Sequence, residues 1–178
     1  MKKVSISVSL LFLFVSFIAL DSHAQSDKKK WSIGFGLEGG LPLGNAKTAF
    51  NFNGGLNLRF SYKAGPGFAT FTTGANVFVP KSFNGVDTKA ALQIPVKFGY
   101  RYKVVPHFFV MGELGYSSFR SYYDSGNGNL VSSMTGGFTY APSLGTEFGA
   151  FELAARYEGI AVSGGTISFV ALRLVFNF

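Results

Sequence analysis

Cysteine is absent from the 178-residue chain. That excludes disulfide stapling, thiol nucleophiles and thiolate metal sites. It also excludes lipid attachment to a cysteine after an export signal. Histidine is scarce: there are two, and only His107 lies beyond residue 24. A zinc site or a histidine general base therefore has one residue to draw on. Acidic residues are few, nine against 16 Lys and Arg. No long apolar run follows residue 24, which excludes a bundle of transmembrane helices. The net charge of +7 is dispersed, apart from Lys28-Lys29-Lys30. It suits anionic headgroups better than nucleic acid.

What is present begins with Met1-Lys2-Lys3, an apolar block from Ile6 to Leu20, and Ser22-His23-Ala24. A basic start, a short apolar run and small residues at alternating positions predict a signal peptide over 1–24, cleaved after Ala24. Residues 25–30 read as a polar linker, and residues 31–178 as one domain. That domain is rich in Gly (23), Phe (21) and Tyr (8) over the whole chain. The combination suits many strands with aromatic outer contacts and a crowded interior.

Period-2 alternation runs through it. Strands are expected at about 31–41, 53–63, 68–79, 89–103, 107–122, 137–148, 151–158 and 165–178. The clearest sets Leu92, Ile94, Val96, Phe98, Tyr100 and Tyr102 against Gln93, Pro95, Lys97, Gly99, Arg101 and Lys103. Pro95 falls on the inward face, and a local bulge is expected there. Short turns at Gly65-Pro66, Val105-Pro106 and Gly149-Ala150 alternate with longer loops near 42–52, 80–88, 123–134 and 159–164. The outward faces carry Leu, Ile, Val, Phe and Tyr with almost no charge. On a soluble barrel they would form a large exposed apolar patch. The reading is all-β: an eight-stranded antiparallel up-and-down transmembrane β-barrel, preceded by a cleaved signal peptide. An even strand count puts both termini on one side, which is expected to be the periplasm.

Leu92-Gln93-Ile94-Pro95-Val96-Lys97-Phe98-Gly99-Tyr100-Arg101-Tyr102 resembles the central strand of the outer membrane protein beta-barrel domain family. These are small, porin-like bacterial barrels. Leu144-Gly145-Thr146-Glu147-Phe148 and Phe151-Glu152-Leu153-Ala154-Ala155-Arg156-Tyr157 resemble its sixth and seventh strands. The resemblance covers residues 31–178 and implies a bacterial outer-membrane location. It implies no single activity.

The inward charges are Glu38, Arg59, Lys63, Lys97, Arg101, Glu113, Glu147, Glu152, Arg156 and Arg173. They would line a selective pore or, since eight strands enclose room only for their own side chains, plug the lumen by pairing. The plug is the favoured reading. Its expected network is Glu152 and Arg156 with Glu147 and Arg173 on neighbouring strands, joined by Glu38, Arg59 and Glu113. Narrow porin-like transport of small solutes is the alternative.

No enzyme is expected. His107 follows a short turn beside two phenylalanines, has no Ser partner and reads as an interfacial aromatic. Asp124, Asn127 and Asn129 lack the acidic count of a calcium loop. Gly34-x-Gly36 opens no helix and is no nucleotide fingerprint. No cofactor or metal is expected. Arg120, by parity near the outer rim, reads either as a contact for lipopolysaccharide phosphates or as a solvated rim arginine. The last strand sets Val170, Leu172, Leu174, Phe176 and Phe178 on one wholly apolar face. The family resemblance implies that Leu172, Leu174, Phe176 and Phe178 form the signal read by the barrel-assembly machinery. The expected partners are outer-membrane lipids, lipopolysaccharide, that machinery and an extracellular ligand of unknown chemistry. The expected state is a monomer.

Overall fold

The computed structural model describes residues 30–81, 90–124 and 130–178. The predicted signal peptide over 1–24, nearly all of the 25–30 linker, and the tips of the loops near 80–88 and 123–134 lie outside the described residues.

Eight strands run in chain order: β1 Trp31–Leu43, β2 Phe50–Ala64, β3 Gly67–Pro80, β4 Ala91–Val105, β5 Phe108–Asp124, β6 Leu130–Phe148, β7 Phe151–Val162 and β8 Gly165–Asn177. A single helical turn, α1 Ala46–Ala49, sits between β1 and β2. Every strand pairs antiparallel with its chain neighbours. β1 pairs with β8 from Gly34↔Asn177 to Leu43↔Ser168, and the sheet closes into a barrel. Closure leaves no open sheet edge within the wall, which is what a strand-built membrane span requires.

The alternation maps onto two environments. Leu37, Leu56, Phe98, Leu114, Leu144 and Leu172 point outward and stay exposed. Arg59, Gln93, Lys97, Glu113, Glu158 and Arg173 point inward and are buried. Arg120 is a charge at an outward strand position, and it is exposed. An apolar exterior around a polar interior inverts the soluble pattern and is that of a membrane barrel.

The two ends differ. Gly65-Pro66, Pro106-His107 and Gly149-Ala150 make two-residue connections at the end that also holds Trp31 and Asn177. Gly65 and Gly149 both adopt φ 61°, as such tight turns demand. The middle turn has no glycine, and His107 itself takes φ 148°. Its hairpin is irregular, with a register shift between Lys103 and Val105. Trp31, Tyr62, Tyr100 and Tyr102 gather near this end and are exposed, consistent with an interfacial girdle.

At the other end the strands outrun the sequence reading. β2 starts at Phe50, so the loop expected over 42–52 shrinks to 44–49 and contains α1. β5 and β6 stay paired to Asp124↔Leu130, so the loop expected over 123–134 shrinks to 125–129. β7 and β8 stay paired to Val162↔Gly165, leaving Ser163-Gly164 where 159–164 was expected. Apolar alternation needs an apolar surrounding on one face, but ladder hydrogen bonds do not. Pro95 also departs from expectation. It is buried on the inward face, but the β4–β5 register runs through it without a shift. The cross-strand pairs with β3 lapse between Val96 and Gln93 and resume in the same register. There the Thr73 hydroxyl donates to the Pro95 carbonyl at 3.0 Å, so no bulge is needed.

Candidate functional site: the barrel lumen

The lumen holds two linked layers of charge and two apolar clusters. The layer nearer the short turns is built around Arg59 on β2. Its guanidinium donates to both carboxylate oxygens of Glu152 on β7, at 2.7 and 2.6 Å, and to Asn177 Oδ1 at 3.2 Å. A two-pronged bond of this kind fixes geometry as well as charge. Arg101 on β4 lies 3.5 Å from the same Glu152 and bonds Glu147 on β6. Lys103 also reaches Glu147. Arg101 stacks over Phe109 at 4.1 Å, within a small cluster of Phe109, Met111 and Ala154.

The second layer centres on Arg156, Glu113 and Glu158. Arg156 bonds Glu38 on β1 and lies 3.0 Å from Glu158 and 3.7 Å from Glu113. Lys97 on β4 donates to Glu158 at 2.6 Å. Arg173 on β8 reaches across to Glu113 on β5 at 3.3 Å. Gln93 extends the layer, donating to Glu158 at 2.5 Å and to Ser117 at 3.1 Å while accepting from Asn76 at 3.0 Å. The buried charges are four acids (Glu38, Glu113, Glu152, Glu158) against five bases (Arg59, Lys97, Arg101, Arg156, Arg173). Glu147, partly exposed at the rim, supplies a fifth acid. Near-neutrality is the condition for burying so many charges at all.

Most of these pairs span the lumen. Arg59–Glu152 joins β2 to β7, Arg173–Glu113 joins β8 to β5, and Lys97–Glu158 joins β4 to β7. The network expected from strand adjacency is therefore corrected. Glu152 pairs across the lumen with Arg59, not with Arg156, and Glu147 sits at the rim with Arg101 and Lys103, away from Arg173. In a narrow barrel a long side chain reaches the opposite wall as easily as the next strand. Lys63, counted inward by parity, is exposed and lies over the Phe68 ring at 4.8 Å. Glu158, fully buried and touched by Lys97, Arg156 and Gln93, escaped the sequence reading. Its parity with Glu152 and Arg156 on β7 was the available signal.

Above the charge layers, toward the longer connections, the lumen turns apolar. Phe78, Phe119 and Phe169 pack with Ala91, Ile160 and Ala171, with Phe50, Val162 and Ile167 against them. Phe78 meets Phe119 at 4.9 Å and Phe169 edge-on at 5.5 Å, and Phe50 adds an edge contact with Phe78 at 5.4 Å.

Elsewhere, His107 Nδ1 lies 3.2 Å from the Glu147 carbonyl, and its ring stacks on Phe148. Among the described residues no group of three His, Asp or Glu side chains could hold a metal. On the closing strand Leu172, Leu174 and Phe178 are exposed, and Phe176 contacts Phe151 and Phe178 at 5.0 and 4.8 Å.

No protein-family model and no curated protein matches the sequence. Solved structures do match. Ail, the attachment invasion locus protein of Yersinia pestis, is 15% identical with a TM-score of 0.61, over 83% of this chain and 97% of that one. The N-terminal barrel domain of Pseudomonas aeruginosa OprF is 12% identical with a TM-score of 0.62, over 83% and 97%. Neisserial surface protein A is 12% identical with a TM-score of 0.52, over 84% and 98%. At these identities the likeness is one of fold: the chain has the fold of the small eight-stranded bacterial outer-membrane β-barrels.

Proposed function

We propose that the chain is a non-conducting integral barrel of the bacterial outer membrane whose task is to anchor and present its longer connections at the cell surface. One observation carries this reading: the barrel's interior is occupied by its own side chains, with ion pairs crossing it at two levels and Phe78, Phe119 and Phe169 packed above them. In the same reading residues 1–24 are an export signal cleaved after Ala24, and residues 25–30 are a linker. The short turns and both termini face the periplasm, and the connections at 44–49, 81–90, 125–129 and 163–164 face outward. Outer-membrane lipid covers the apolar belt, and lipopolysaccharide phosphate meets Arg120. The assembly machinery reads Leu172, Leu174, Phe176 and Phe178 during insertion, and the barrel works as a monomer. The outward connections meet the extracellular ligand.

The test is recording from the purified protein in planar lipid bilayers. No steady current is expected. A steady, ion-selective current would overturn the reading in favour of narrow porin-like transport. For the assembly signal, Phe176→Ser with Phe178→Ser should lower the amount of barrel recovered in outer membranes. Unchanged membrane levels would remove it.

A further inference from the structure

The charge layers and the aromatic layer close the lumen to different things. Among the described residues, thirteen buried side-chain nitrogen and oxygen atoms have no hydrogen-bond partner. They belong to Glu38, Asn53, Asn57, Arg59, Thr70, Thr72, Arg101, Glu113, Arg156 and Arg173. Donors such as Arg173 Nε and Nη2 are mixed with acceptors such as Glu38 Oε2, Glu113 Oε1 and Asn57 Oδ1. A single ion of either sign would satisfy one set and repel the other. Water satisfies both. Left dry, thirteen such penalties would outweigh the net stability of a domain this size.

The polar column also grades into solvent at one end. Side-chain exposure rises from 1% at Arg59 through 9% at Arg101 and 20% at Glu147 to 35% at Lys103, along the ion-paired chain that leads to the short turns. At the other end it stops. There Phe78, Phe119, Phe169 and Ile160 are buried to 0–2% exposure and pack together, each beside a buried polar cross-strand neighbour, Asn53, Gln93, Glu158 and Thr139 in turn.

We propose that the lumen is a hydrated blind shaft, open to water at the short-turn end and closed to water and ions by one aromatic layer at the other. A packed apolar constriction stops ions by dewetting, with no need for a charge. The ion pairs hold the wall together and balance its charge, and water passes between them. This rests on the non-conducting reading above and assigns the barrier to particular residues.

The experiment is bilayer recording on three proteins: wild type, Phe78→Ala/Phe119→Ala/Phe169→Ala, and Glu113→Gln/Arg173→Gln. Folding of each is verified by far-UV circular dichroism and heat-modifiable gel mobility. Steady current steps are expected from the aromatic variant alone. A folded aromatic variant as silent as wild type overturns the seal, as does a network variant that conducts with its aromatics intact. If the triple variant does not fold, Phe119→Ser alone is recorded and is expected to conduct; silence there also overturns the proposal. Current through wild type would overturn the non-conducting reading and the seal together, whereas silence in all the folded proteins would overturn the seal only.

Discussion

The outer and inner faces of the same strands are held by opposite rules. Outside, Leu56, Phe98 and Leu114 are exposed, so each contributes by matching an apolar solvent. Inside, Arg156 faces Glu38, Glu113 and Glu158 at once, and Glu113 is in turn approached by Lys97 and Arg173. An outer residue can be exchanged for another apolar one with local effect. An inner residue belongs to a coupled set whose members do not contribute additively.

The contrast is broken hardest from the inside. Arg156→Gln leaves three carboxylates clustered without their shared cation, and a loss of about 3–5 kcal/mol is expected from uncompensated buried charge. Urea unfolding in lipid vesicles measures it. Leu56→Arg attacks the other face at mid-strand and is expected to cost about 2–4 kcal/mol in the same assay. A cost near zero would mean that this belt does not meet lipid. The coupling is sharpened by a double exchange. Arg59→Met and Glu152→Leu should each be strongly destabilising alone, but together they should fall within about 1 kcal/mol of wild type, because the pair's desolvation penalty disappears with the pair. Additive single losses would mean that the two residues act independently. The smallest effect is at neither face. His107→Gly relieves a non-glycine residue at φ 148° and is expected to raise stability by about 1 kcal/mol, less the lost stack on Phe148. A fall in the unfolding midpoint would show that the stack outweighs the strain.

The strand plan was legible because period 2 is written wherever one side meets lipid and the other a polar lumen. Leu92 to Tyr102 states it in eleven consecutive residues. Strand ends were not legible where both sides meet water. Leu130 to Gly136 is strand, yet its Ser132, Ser133 and Thr135 read like a loop. The inward charges were legible one at a time by parity. Their partners were not, because Arg59 and Glu152 stand 93 residues apart on strands that do not touch. The aromatic layer was hidden by the same rule that found the strands. With the lumen read as polar, the alternation alone does not single out Phe119 and Phe169, which pack with Phe78 in the apolar part of the interior.

The β1–β8 pairing carries a kinetic consequence. Seven of the eight pairings join strands next to each other in the chain, so each can form from a local hairpin at little entropic cost. The eighth brings Gly34 to Asn177, the largest loop the domain can close, and it makes nothing until the other strands are in place. Non-local pairings of this kind are slow to form. Until that last pairing forms, β1 and β8 each present a free strand edge, open to pairing with another chain. Zipping this one junction turns an aggregation-prone open sheet into an edgeless ring.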